Sequence, residues 1–176
     1  MKILKLSPLD RAESILFFLL LLKSREITMQ EQAMEFCESK IENSPHYFIQ
    51  VFADEIACTC DRGQILTQEN DVERIYNKFS NDQLPAFEDY RTRLKEQLDT
   101  KDEVIAKKVL ATLSDKILAF EDIFALIAEL CDSKENLHRI LRRLCDEGYL
   151  MERDRKFSFI SHILADYWNK HFYFEV

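Results

Sequence analysis

Apolar residues recur at helical spacing along most of this chain, most clearly from Asp132 to Phe172. Leu137, Ile140, Leu141 and Leu144 fall three and four residues apart, drawing one apolar stripe along a helix of roughly three turns. Ser133 precedes the stripe as a cap. Gly148 follows it, where a left-handed residue ends a helix at little steric cost. Two strand-like runs come next, Tyr149–Met151 and Lys156–Phe159, around the polar turn Glu152–Arg155. A helix carrying Tyr167 and Trp168 comes last. Helix followed by hairpin predicts a winged helix-turn-helix, the hairpin being its wing.

Upstream, the pattern divides near Thr100. Residues 1–99 predict a helical, lid-like bundle of five helices. The first runs from Ser7-Pro8, a cap with a first-turn proline, to about Lys23. Thr28 caps the second, with Met29, Ala33, Phe36, Cys37 and Ile41 inward. Ser44-Pro45 opens the third, where Phe48, Phe52, Ile56 and Cys60 share a face before Asp61-Arg62-Gly63 ends it. Thr67 opens the fourth, although Asn70 stands where Glu or Gln would complete a capping box. Pro85 leads the fifth, bearing Phe87, Tyr90, Leu94 and Leu98. Residues 100–176 then predict the winged-helix domain. Its first helix carries Val104, Ile105, Val109, Leu110 and Leu113. Ala119–Asp122 opens a second, with Ile123, Leu126, Ile127 and Leu130 inward, before the helix at 134–147. Glu96–Glu103 is charged and free of Gly and Pro, which predicts a stiff helical junction. The fold class is mainly α, with one short β-hairpin.

The run RILRRLCDEGYLMERDRKFSFISHILADYWNKHF resembles the C-terminal winged-helix domain of AAA+/STAND-type (archaeal-type) ATPases. The residues that carry the likeness are Gly148, Tyr149, Leu150, Phe157, Phe159, Ser161, Tyr167 and Trp168. Lys2–Asp10 resembles the last strand of the nucleotide-binding core and the start of the helical lid. Ser44-Pro45-His46-Tyr47-Phe48 is similar to the lid turn of that family. The resemblance implies a helical lid plus winged helix, the rear part of an ATPase without its motor core.

The phosphate chemistry of such a motor is missing from these residues. They contain no G-x-x-x-x-G-K-[ST] segment, and their only glycines, Gly63 and Gly148, are far apart. A phosphate cradle needs several backbone N–H groups converging on the anion. Val51-Phe52-Ala53 before Asp54-Glu55 would be the magnesium-holding strand, but its position after Ser44-Pro45 predicts helix instead. His46 stands where the family's lid approaches nucleotide, yet no arginine accompanies it, and it reads as an exposed histidine at a helix start. No nucleotide, cofactor or catalytic residue is assigned.

Other chemistry is equally thin. His46, His138, His162 and His171 are scattered without metal-ligand spacing, and Cys58-Thr-Cys60 is one residue tighter than a C-x-x-C knuckle. The five cysteines read as reduced thiols of a cytoplasmic protein. Asp54-Glu55 and Glu88-Asp89 are adjacent pairs that point about 100° apart on a helix, so neither converges on one substrate atom. An enzyme is not expected.

Two surfaces are. Ile15–Leu22 is an unbroken apolar run of eight residues, well short of the roughly 20 that span a bilayer. No membrane role is expected. Without a nucleotide-binding core to cover it, its residues Ile15, Phe17, Phe18, Leu19 and Leu22 are candidates for homodimerisation or for binding a separate core. On the other surface, His138, Arg139, Arg142 and Arg143 lie opposite the leucine stripe, and Arg153, Arg155 and Lys156 sit on the wing. These are the residue types with which a helix in the major groove and a wing on the backbone hold double-stranded DNA. The competing reading pairs Glu135 with Arg139, Arg142 with Asp146, and Arg143 with Glu147 as i,i+4 surface ion pairs.

Net charge favours a winged helix that binds a protein partner or packs intramolecularly, as a regulatory portion, over one that binds DNA. The chain carries −8. Residues 1–99 have 12 basic and 18 acidic side chains, and residues 132–176 balance at 8 and 8. Phosphate contacts supply most non-specific affinity for DNA, and no broad basic footprint exists.

Overall fold

The computed structural model describes residues 9–42, 44–81, 85–131 and 133–172. The Lys2–Pro8 segment, including the expected Ser7-Pro8 helix start, lies outside them, as does Asp132. The described residues are mainly helical with five short strands. They divide into two compact units, 1–79 with 161–163, and 80–160 with 164–176. The sequence suggests a boundary at Thr100; the packing places residues 80–99 with the second unit.

In the first unit, α1 (Arg11–Ser24) is capped by Asp10. The Asp10 carboxylate accepts from Glu13 N–H at 2.8 Å, and the Glu13 carboxylate accepts from Asp10 N–H at 3.1 Å. This reciprocal box satisfies two otherwise orphan donors. Thr28 does not cap a helix. Thr28–Met29 forms β1, paired in parallel with β2 (Ile65–Leu66). α2 (Glu31–Ile41) follows, burying Ala33, Cys37 and Ile41, while Phe36 is half-buried.

α3 (His46–Thr59) confirms helix across Val51–Glu55 and buries Phe48, Ile49, Phe52 and Ile56. Ser44 makes no cap. Its hydroxyl meets that of Ser161 at 2.7 Å, both residues being buried. Gly63 takes φ +80° in the turn after α3. α4 (Glu69–Asn81) supplies Tyr76 and Phe79, whose rings pack around Phe52 at 5.3 and 5.4 Å between centroids. Phe18 of α1 stacks on Phe52 at 5.7 Å, which fixes the side of α1 that faces the core.

In the second unit the order is α5 (Pro85–Gln97), α6 (Thr100–Leu113), β3 (Leu118–Ala119), α7 (Phe120–Leu126), α8 (Lys134–Asp146), β4 (Leu150–Arg153), β5 (Lys156–Phe159) and α9 (His162–Phe172). Strand β5 lies between β3 and β4, antiparallel to both. Apolar stripes on α6 (Ile105, Val109, Leu110, Leu113) and α8 (Leu137, Ile140, Leu141, Leu144) make the core with Ile123 and Ile127. Leu126 and Leu130, expected inward, are exposed, because Ile123, Ile127 and Cys131, four residues apart, take the inward positions. Val104 is also exposed.

Aromatic rings complete this core. Phe87 stacks on Tyr167 at 4.0 Å, and Tyr149 meets Trp168 edge-on at 6.1 Å. The Tyr149 hydroxyl donates to the Tyr90 carbonyl, and burial pushes its phenol well above the ordinary tyrosine range. Tyr167 is pushed up to about 12, first by burial and then by the Glu88 carboxylate beside it. Among the described residues, no helix is long and apolar enough to cross a membrane.

Candidate interaction surface

The surface is built on α8 and the hairpin. Ser133 caps α8, its side chain accepting from Asn136 N–H at 3.2 Å. Gly148, at φ +78°, ends the helix with two bonds, Gly148 N–H to Cys145 C=O at 3.2 Å and Tyr149 N–H to Leu144 C=O at 2.9 Å. That double closure is the Schellman arrangement, and it turns the chain straight into β4. Asp154 and Arg155, at φ 53° and 62°, make the two-residue hairpin turn. Two successive left-handed residues match the twist of a hairpin. The turn is therefore shorter than Glu152–Arg155, and Glu152 and Arg153 belong to β4.

With the leucine stripe buried, His138, Arg139, Arg142 and Arg143 all face solvent, as do Arg153, Arg155 and Lys156. Their freedom differs. Arg139 is ion-paired with Asp102 of α6, a carboxylate whose side chain is only 5% exposed, although Arg139 itself is 62% exposed. Asn136 tightens this link: its amide N–H donates to Asp102 at 3.3 Å, and its oxygen accepts from Arg139 at 2.6 Å. The expected Glu135–Arg139 pair is replaced by this longer-range one. Arg143 pairs with Glu147 at 3.4 Å, as the spacing suggests, and also donates to the Gln97 side chain of α5. Arg142, Arg153, Arg155 and Lys156 make no ion pair with another described residue.

His138 is stacked within the unit. Its ring lies flat on Phe120 of α7, with centroids 3.8 Å apart and planes 9° apart. Phe120 in turn stacks on Phe124 at 6.3 Å, and Lys134 caps that ring at 5.5 Å while pairing with Glu121 at 2.6 Å. Phe120, Phe124 and Lys134 therefore join the surface, though no pattern in the sequence singles them out. Asp102 and Gln97 were equally hidden, since each acts across more than 35 residues of chain.

The α1 candidates separate cleanly. Phe18 and Leu22 are core residues at 0% and 1% exposure, so they form no interface. Ile15 and Phe17 are half-buried, and Phe17 meets the exposed His46 ring edge-on at 5.8 Å. Leu19 is exposed, together with Leu16 and Leu20, which the sequence does not distinguish.

The remaining chemistry is quiet. Asp54 pairs with Arg25, and Glu55 with Lys78 at 3.0 Å. No group of three or more metal-ligating side chains gathers among the described residues. Burial pushes the Cys37 and Cys60 thiols up, away from nucleophilic use. A cleft of about 600 Å³ in the first unit is lined by Gln32, Glu35, Phe36, Ser39, Gln68 and Glu69, with Asn70. Carboxylates and amides without a cation make a poor seat for a polyphosphate. No protein-family model, no curated protein and no solved structure matches the chain.

Proposed function

We propose that this chain is a non-catalytic interaction portion of an AAA+/STAND-type ATPase, and that its second unit is a winged helix that docks a protein partner. The order α6–β3–α7–α8–β4–β5, with β5 central in the small sheet, agrees with a winged helix-turn-helix whose α8 is the exposed helix and whose hairpin is the wing. The lid-like bundle of α1–α4 fits the same architecture. One observation carries the choice of partner. Of the three arginines that α8 presents, two are neutralised within the unit, Arg139 by Asp102 and Arg143 by Glu147. A helix that reads duplex DNA needs those guanidiniums for phosphates and base edges. The stacked Phe124–Phe120–His138 face beside them, in which the two half-buried phenylalanines back the exposed His138 ring, is better suited to a protein surface, where aromatics anchor contacts.

Duplex binding by the winged helix is the alternative, favoured by Arg142, Arg153, Arg155 and Lys156, which make no ion pair among the described residues. Fluorescence anisotropy with a labelled duplex at low salt separates the two. Weak binding is expected, of which R142A removes a modest part. Tight, steeply salt-dependent binding lost in R142A would overturn the protein-docking reading. Calorimetry with ATP should show no saturable binding at micromolar concentration. A micromolar site would contradict a non-catalytic portion.

A further inference from the structure

We infer that Asp102 is a specificity-determining residue that keeps α8 from engaging polyanions. The inference rests on the winged-helix reading of the second unit, and adds the residue that steers it away from nucleic acid. Asp102 lies in the first turn of α6, just after the Asp99 cap, which accepts from Asp102 N–H at 2.9 Å. Its own side chain is turned inward, nearly sealed from water, and receives both the Arg139 guanidinium and the Asn136 amide. A carboxylate is acceptor-only when ionised, so it occupies donors that a phosphate oxygen would otherwise take. Arg139 stays largely exposed while so held. It is therefore placed where a phosphate could reach it, and its charge is already matched.

The geometry makes this an internal competitor rather than a chance pair. Glu135, one turn before Arg139 on the same helix, would give a weak exposed pair that solvent screens. Asp102 is held from a different helix and buried, and Asn136 bonds to both partners at once. A polyanion would have to displace a desolvated, doubly bonded carboxylate to recruit Arg139. Arg142, three residues further along the same helix, has no such competitor among the described residues.

Removal of the competitor tests the inference. D102N and D102S in the full chain should raise affinity for a labelled duplex on the order of tenfold at about 50 mM salt, and steepen the salt dependence by about one counterion. D102N/R139A should return to the wild-type value, because the gain flows through Arg139. E135Q removes the same charge from an exposed site and should give a smaller gain. In the wild-type background, R139A should leave duplex retention unchanged while R142A lowers it, a comparison that needs no change at Asp102. Circular dichroism checks folding throughout. A gain that persists in D102N/R139A, a D102N no better than E135Q, or an R139A loss equal to that of R142A would each overturn the assignment. If wild-type protein binds duplex tightly, the protein-docking reading fails, while these differences still decide the role of Asp102.

Discussion

Replacing Gly148 with Ala should destabilise the protein by about 1 kcal/mol, and the structure shows where that figure comes from. At φ +78° an L-residue pays roughly 1–2 kcal/mol for the left-handed backbone. Alanine recovers about 0.4–1 kcal/mol by restricting the unfolded chain. Sterics add nothing: a Cβ at this position would meet only the Tyr90 hydroxyl, at 3.9 Å. Gly63 offers an internal control, with φ +80° and no atom within 4 Å of the added carbon. G63A should therefore cost about the same, and G148N less than G148A, since Asn tolerates this region. Urea unfolding followed by circular dichroism measures all three, read at constant m-value. A G148A loss of about 3 kcal/mol or more would mean that packing around the α8–β4 joint, not backbone strain, sets the cost. No loss at all would mean that the turn relaxes, and that the Schellman closure does not fix the direction of the hairpin.

The two sides of α1 should respond oppositely to substitution. F18A removes a core ring stacked on Phe52 and should cost about 3–5 kcal/mol, whereas L20K on the exposed side should stay within about 0.5 kcal/mol, both read from thermal melts. If the exposed Leu16, Leu19 and Leu20 drive self-association, L20K should also shift sedimentation toward monomer; an unchanged profile removes that surface from assembly. Stability should fall as pH rises from about 10 to about 12, because unfolded tyrosine loses its proton near 10 while folded Tyr167 holds it until about 12. Y167F should flatten part of that decline in pH-dependent urea midpoints, and an unchanged slope would contradict the shift.

Much of the second unit could be read from the chain because its signals are local. The Leu137–Leu144 stripe, Ser133 before it and Gly148 after it each act within a few residues, and all three stand as expected. Helix α1 was harder. An apolar run on every side carries no periodicity, so nothing in Ile15–Leu22 separated the buried Phe18 and Leu22 from the exposed Leu16, Leu19 and Leu20. The capping box at its start was legible in Asp10 and Glu13, three residues apart. The two-residue strands at Thr28–Met29, Ile65–Leu66 and Leu118–Ala119 are too short to show a period of two, and pairing across the chain creates them. The Asp102–Arg139 link fails to announce itself for the same reason. Glu135 offered a nearer partner, and only the packing of α6 against α8 brings Asp102 within reach.

The hairpin tip holds a different kind of information. Asp154 and Arg155 both sit in left-handed backbone, where Asn and Gly are the residues of least strain. Redesigning the pair as Asn-Gly would relieve on the order of 1 kcal/mol or more. It would also delete a guanidinium from the tip of the hairpin. Stability engineering and surface chemistry thus collide at these two positions, and a thermostabilised version of this protein would be altered first where it meets its surroundings.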